Sequence, residues 1–296
     1  MKHSLKISLI LIGLFFVSQV FGLVIINQYI DHEKIEIGVS ENVTFGDLPL
    51  NITRPEIEEG ISFAYIIAAV IIATILLLFL LRFSTVLWKL WYFLAVWLCL
   101  GVALAAFINQ IWALFLAGLL AVYKVFRPRI IIHNLTELLI YGGLAAIFVP
   151  IINTTSALLL LLFISGYDWI AVYKTKHMIK LAKAQTKMKV FAGLFIPYKI
   201  GKMKGKGKVK TVKVKTAVLG GGDLGFPLIF AGVIMKGLML VNSVWVGFLK
   251  ALIVPVFASI ALFYLLMKAE KNKFYPAMPF VSVGCLVGWI VILLIG

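Results

Sequence analysis

Charge is scarce in this chain: only 14% of its 296 residues are charged, and just 12 are Asp or Glu against 28 Lys and Arg. Soluble domains carry about a quarter charged residues and roughly half apolar ones. Here 62% of residues are apolar and the mean hydropathy is +1.07, which excludes a water-soluble globule. Cysteine is nearly absent. Cys99 and Cys285 both lie inside apolar runs, so no disulfide framework and no CxxC metal site can be built, and both read as core packing. Histidine is thin as well: His3, His32, His133 and His177 are scattered, and without an HExxH they supply no metalloprotease site. Ser165-Gly166 lacks the preceding Gly of a G-x-S-G element, so a serine nucleophile is unsupported.

Long apolar runs are what the chain has instead. Nine stand out, at roughly 5–27, 61–81, 87–106, 108–123, 135–152, 154–173, 217–235, 248–267 and 278–295, each able to cross about 30 Å of hydrocarbon as a helix. The first continues to Ile26 without a small-x-small cleavage site, so it reads as a span and not a signal peptide. Lys and Arg collect in cytoplasmic loops. With the N-terminus inside, the inner segments hold Lys2 and Lys6; Arg82 and Lys89; Lys124, Arg127 and Arg129; the stretch from Lys174 to Lys215; and Lys268, Lys271 and Lys273. The outer segments hold only Lys34, Arg54, Lys236 and Lys250. The expectation is an all-α polytopic membrane protein with nine transmembrane helices, N-terminus cytoplasmic and C-terminus outside. Residues 1–152, the first five spans, read as scaffold. Residues 153–296 hold the last four spans, a basic cytoplasmic loop at 174–215 and the unusual chemistry.

That loop is not read as a nucleic-acid site, because no aromatic stacking platform is interleaved with its lysines. Lysine beside a membrane reports topology and attraction to anionic lipid. Val209 to Lys215 alternates apolar and polar residues, which suits either a strand with one apolar face or a solvated linker. As a strand, its exposed edge is able to receive an extended peptide. Val190 to Pro197 is an apolar stretch inside the same loop.

The acids are distributed unevenly. Asp31, Glu33, Glu36, Glu41, Asp47, Glu56, Glu58 and Glu59 occupy the first outer loop, leaving Glu137, Asp168, Asp223 and Glu270. Glu270 falls in a loop, and Glu137 at a span edge where solvent or snorkelling makes its charge cheap. Asp168 and Asp223 lie within apolar helices, where an ionisable group costs at least a few kcal/mol and implies a function. Asp168 precedes Lys174 by about 9 Å of helix and Asp223 follows Lys215 by about 12 Å, on antiparallel spans, so the two can meet. Paired carboxyls in a low dielectric cannot both ionise and share a proton. The ionised member then activates a water for attack on a peptide carbonyl while the protonated member donates to the carbonyl oxygen. The same acids also suit a cation- or proton-coupled transporter, which predicts inverted symmetry between the halves; none is visible.

Around Asp223, Leu219-Gly220-Gly221-Gly222-Asp223-Leu224-Gly225-Phe226-Pro227 has a glycine density that costs about 1 kcal/mol per residue in a helix. Missing side chains permit close helix approach in return. The G-x-G-x-x-G across Gly220, Gly222 and Gly225 has no βαβ unit around it, so a dinucleotide site is excluded. Tyr167 precedes Asp168, and its hydroxyl can reach a carboxylate or a substrate carbonyl. Pro276-Ala277-Met278-Pro279 opens the last span in the same leaflet.

In order, these residues resemble the presenilin and signal peptide peptidase superfamily of GxGD intramembrane aspartyl proteases, most nearly its archaeal members. The YD motif corresponds to Tyr167-Asp168, with Val172, Thr175 and Met178 extending it; the GxGD motif to Gly220, Gly222 and Asp223; and the PAL motif to Pro276-Ala277-Met278. Met278 replaces the usual leucine, a volume-conserving change. Gly221 stands where the family often carries Leu or Phe, which bears on substrate preference. The resemblance implies catalysis by Asp168 and Asp223, with Tyr167, Gly220, Gly221, Gly222, Pro276, Ala277, Met278 and Pro279 as support and substrate cleft. It implies transmembrane protein or peptide substrates cut within the bilayer of a cell membrane, contact with membrane lipid, and no metal or organic cofactor. Homo-oligomerisation is left open. The inferred orientation is similar to presenilin and opposite to signal peptide peptidase.

Overall fold

The apolar runs become helices because a segment in hydrocarbon has no water to satisfy its backbone and must bond internally. The structure, a computed structural model, describes residues 5–36, 43–54, 61–83, 85–127, 129–176, 191–202, 212–270 and 274–296. Helix α1 (Leu5–Tyr29) is followed by the short α2 (His32–Glu36), α3 (Ser62–Phe83), α4 (Thr85–Ala105), α5 (Gln110–Phe126), α6 (Ile130–Phe148) and α7 (Thr154–Tyr173). The second part holds α8 (Gly221–Val241), α9 (Val244–Ala251), α10 (Ile253–Lys268) and α11 (Met278–Ile295). Asn109 and Asn153 start α5 and α7 by accepting the Ile111 and Ser156 amides at 3.0 and 2.8 Å, which satisfies orphan donors of the first turn.

Among the described residues, 7 stretches are long and apolar enough to cross a membrane: Leu5–Tyr29, Val86–Ala105, Ile130–Ile151, Thr154–Tyr173, Gly221–Val241, Val244–Lys268 and Met278–Ile295. Where the fourth of the nine expected spans falls, the apolar helix is the shorter Gln110–Phe126, and α3, where the second falls, is apolar over Ser62–Leu76.

The all-α expectation needs one correction. Strands β1 (Gly193–Lys202) and β2 (Val212–Gly220) pair antiparallel, with Gly193 opposite Gly220, Leu194 opposite Leu219 and Ile196 opposite Ala217. The alternation read at 209–215 is strand from Val212 onward, and residues 209–211 lie outside the described residues. The strand also consumes Ala217 to Gly220, expected as the start of the seventh span. The physical reason is the period of two: Leu194, Ala217 and Leu219 are at most 4% exposed and join the main core, whereas Val218 on the other face is 41% exposed.

Helix α1 lies at the centre of the packing and touches α6, α8 and α10, burying Phe15, Leu23 and Ile26 completely. Helices α10 and α11 approach through Gly284 and Gly288, a small-x-x-x-small pair. A Cβ on Gly284 would lie 2.6 Å from the Phe257 carbonyl oxygen and 2.7 Å from the Ala258 Cα. Gly284→Leu is therefore expected to push α11 off α10 and destabilise the protein by about 1–3 kcal/mol. The check is the thermal unfolding midpoint in detergent, which should fall well below that of wild type.

Candidate active site

Three helices, α7, α8 and α11, pack against one another, and each brings one of the expected motifs. Asp168 sits in the last two turns of α7 with 8% exposure. Its Oδ2 accepts the Met278 amide at 3.2 Å, and the Ala277 amide also bonds to this carboxylate. The P-A-M-P spelling explains why. The first amides of a helix have no intrahelical partner; Ala277 caps α11 and Met278 opens it, so both point their donors at Asp168. Pro279 stands at a first-turn position where a missing N–H is harmless. A second link lies one turn away: the Ser165 hydroxyl donates to the Leu161 carbonyl at 2.8 Å and meets Ser282 Oγ of α11 at 2.6 Å. The Tyr167 hydroxyl donates to Thr74 Oγ1 of α3 at 3.3 Å, and its ring stacks on Phe163.

Asp223 corrects the depth argument. The expectation places it eight residues past Lys215, inside a span starting at 217, but Gly220 ends β2 and α8 begins at Gly221, so Asp223 is the third residue of α8. The glycines therefore occupy the helix start, where the interior propensity cost does not apply. Gly220 is the N-cap, in extended conformation (φ −67, ψ 153). The Asp223 carboxylate reaches back to the Gly220 amide, the acidic half of a capping box, and the amide end of the helix favours an anion there. Asp168 acts electrostatically on Asp223. A Cβ at Gly221 would stand 2.5 Å from the Tyr141 hydroxyl, so the variable position of the motif is filled from outside by a ring of α6. Pro227 cannot donate to the Asp223 carbonyl four residues back, and Gln19 Nε2 of α1 donates to the neighbouring Leu224 carbonyl at 2.9 Å.

Glu137 corrects a second expectation. It is not at a solvated edge but 1% exposed, accepting from Lys124 Nζ at 2.6 Å. β1 covers this end of α6, and Lys124 of α5 brings the counter-charge. Sequence reading also passes over Tyr141, Gln19 and Ser282, and weighs Ser165 only as a nucleophile. Gln19 and Glu137, large polar residues within long apolar runs, carry the clearest signal that could have found them. Among the described residues no group of three His, Cys, Asp or Glu is arranged to hold a metal ion.

A family described as signal-peptide peptidase, presenilin aspartyl protease matches residues 12–296. Two solved structures of a presenilin-family intramembrane aspartate protease are similar in fold. One, in space group C222, has 18% identity and a TM-score of 0.60, covering 96% of this chain and 95% of its own. The other, in space group P2, has 18% identity and a TM-score of 0.61, covering 99% and 98%. No curated protein matches the chain. With the acids of α7 and α8 and the opening of α11 gathered in one place, and the family match running over nearly the whole length, the chain is a multi-pass membrane protein of the signal-peptide peptidase and presenilin aspartyl protease family, an intramembrane aspartyl protease and not an ion-coupled transporter.

Proposed function

We propose that Asp168 and Asp223 form the catalytic dyad and hydrolyse peptide bonds of transmembrane helices. The observation that carries this is that the two carboxylates come close enough to act on each other electrostatically where α7, α8 and α11 converge. One carboxylate takes a proton from a water held between the pair, and the water oxygen bonds to the peptide carbonyl carbon. The other gives its proton to the carbonyl oxygen, and the tetrahedral species then collapses with proton transfer to the leaving amine. The pair titrates as a unit, so the two roles belong to the dyad and not to one fixed residue. Pro276, Ala277, Met278 and Pro279 hold one wall, with the Ala277 and Met278 amides keeping Asp168 in place. Gly220, Gly221 and Gly222 let backbone come close to the other acid, and Tyr167 shapes the approach from α3.

The substrate is read as a transmembrane protein or peptide that unwinds near the site. Strand alternation supports a place for it: the groups of Gly193 and Phe195 that face α6 are turned away from β2, so on β2 it is Thr216 and Val218 whose backbone groups turn away from β1. That edge runs straight into Asp223. The orientation is proposed as N-terminus cytoplasmic and C-terminus outside, with nine spans, a cell-membrane location and lipid contact; the basic loops of one side support it. Residues 1–152 act as scaffold and 153–296 as the catalytic half, with the basic loop at 174–215. Assembly with further copies is compatible with this reading.

The test is purified protein in lipid vesicles with a transmembrane-helix substrate, the products mapped by mass spectrometry. Cleavage within the apolar segment, blocked by a peptide carrying a hydroxyethylene in place of the scissile amide, is the expected result; no cut, or a cut only outside the apolar segment, overturns it. Because one proton must be shared, turnover should rise and fall with pH. A flat rate from about pH 4 to 9 would contradict the dyad.

A further inference from the structure

Among the described residues, a cluster of buried polar groups outside the acid pair lies between α5, α6 and β1, and nothing in the proposed hydrolysis uses it. Lys124 and Glu137 are both 1% exposed. The Lys124 ammonium donates to Glu137 Oε1 at 2.6 Å, to Thr136 Oγ1 at 3.0 Å and to the His133 carbonyl at 3.3 Å. A buried ion pair is no stabiliser in itself, since an apolar pair of similar volume is often as good or better. Its retention inside an apolar bundle asks what its second oxygen does.

Glu137 Oε2 accepts two donors from different elements: the Gly193 amide at 2.9 Å, and the Tyr141 hydroxyl. Each leads to the start of α8. Gly193 is the β1 residue directly opposite Gly220, and the adjoining Gly221 amide donates to the Ala192 carbonyl at 3.2 Å. Tyr141 fills the space beside Gly221 and touches the Gly225 position as well. The same end of β1 is held by His133 Nε2 on the Gly193 carbonyl at 2.8 Å. Asn134 adds two bonds, exchanging both hydrogen bonds with the Phe195 backbone at 3.0 Å. Gly193 has φ +136, a conformation open in practice only to glycine, so a side chain at this end of the hairpin would be strained.

We propose that Glu137, held by Lys124, is a positioning residue: by gripping the Gly193 amide and the Tyr141 hydroxyl together, it sets where β2 ends and α8 begins, and thereby where Asp223 stands relative to Asp168. This rests on the reading of Asp223 as a catalytic acid. The carboxylate acts at a distance through the hairpin and the tyrosine ring and touches no substrate.

Two charge-neutral pairs separate positioning from plain stability. Lys124→Met with Glu137→Gln leaves no buried charge but keeps an oxygen to accept from Gly193 and Tyr141. Lys124→Met with Glu137→Leu removes that acceptor at similar volume. Turnover per site, with sites counted by a tight-binding hydroxyethylene peptide, is expected to fall about tenfold to a hundredfold in the leucine pair with KM little changed, and its pH profile should shift. The glutamine pair should lose less than about threefold, because the grip survives. Equal turnover per site in the two pairs overturns the proposal. If the leucine pair does not fold, Tyr141→Phe, which leaves the ion pair and the Gly193 bond in place, decides the matter: reduced turnover at unchanged KM supports the proposal, and wild-type turnover overturns it. Asp223→Ala run alongside keeps the two readings apart. An active Asp223→Ala protein defeats the dyad, whereas an inactive one beside an unaffected leucine pair defeats only the role of Glu137.

Discussion

Asp168→Ala and Asp223→Ala should each reduce cleavage of a transmembrane-helix substrate by about 10⁴-fold or to background, since each removes one of the two proton-transfer partners. Asp→Asn should do the same, because the amide preserves shape and hydrogen bonding but neither takes nor gives the proton. The two losses should not add, as either removal already disables the shared-proton state. Both Asn variants should remain folded. The Ala277 and Met278 amides that Asp168 accepts, and the Gly220 amide that Asp223 accepts, can be satisfied by Asn in the same geometry. The measurement is initial rate in vesicles with the unfolding midpoint recorded on the same preparations. Substantial cleavage by either variant would show that the reaction does not run through this pair.

Gly221→Leu is expected to be the second most damaging change, with turnover down by about a hundredfold. Leucine is a residue the family resemblance accepts at this position, so loss here would be particular to this chain. The reason is steric: the first added carbon would already stand 2.5 Å from the Tyr141 hydroxyl. That ring is 5% exposed and bonded to Glu137, so it cannot swing clear without breaking its own bond to that carboxylate. Gly222 is different. A Cβ there meets nothing closer than Phe226 at 3.7 Å, so Gly222→Ala should be the milder of the two. Rates and substrate affinity measured on both variants decide it, and a Gly221→Leu protein with normal turnover would mean that Tyr141 has another place to go.

Membrane class, the positions of the apolar helices, the two candidate acids and the three ordered motifs were legible in the chain alone. Each depends on local properties: the length of an apolar run, the cost of an acid within it, the spacing of glycine and proline. The period of two before α8 left a strand or a solvated linker open, and the structure has the strand from Val212. What local reading misplaced was where that strand stops. Ala217 to Leu219 is apolar enough for either a helix or a strand, and pairing with Gly193 to Ile196, more than twenty residues earlier, decides for strand. That single shift moves Asp223 from the second turn of a span expected from 217 to the first turn of α8.

The sequence by itself determined that this protein lives among lipids and that two carboxylates within its spans need a purpose, because hydrocarbon penalises charge wherever the chain folds. Only the tertiary structure decided which amides hold Asp168, which ring fills the space beside Gly221, and that Glu137 is buried against Lys124. Those are contacts between residues on different helices and strands. Their geometry follows from how α5, α6, β1 and α8 pack, which no spacing along one segment records.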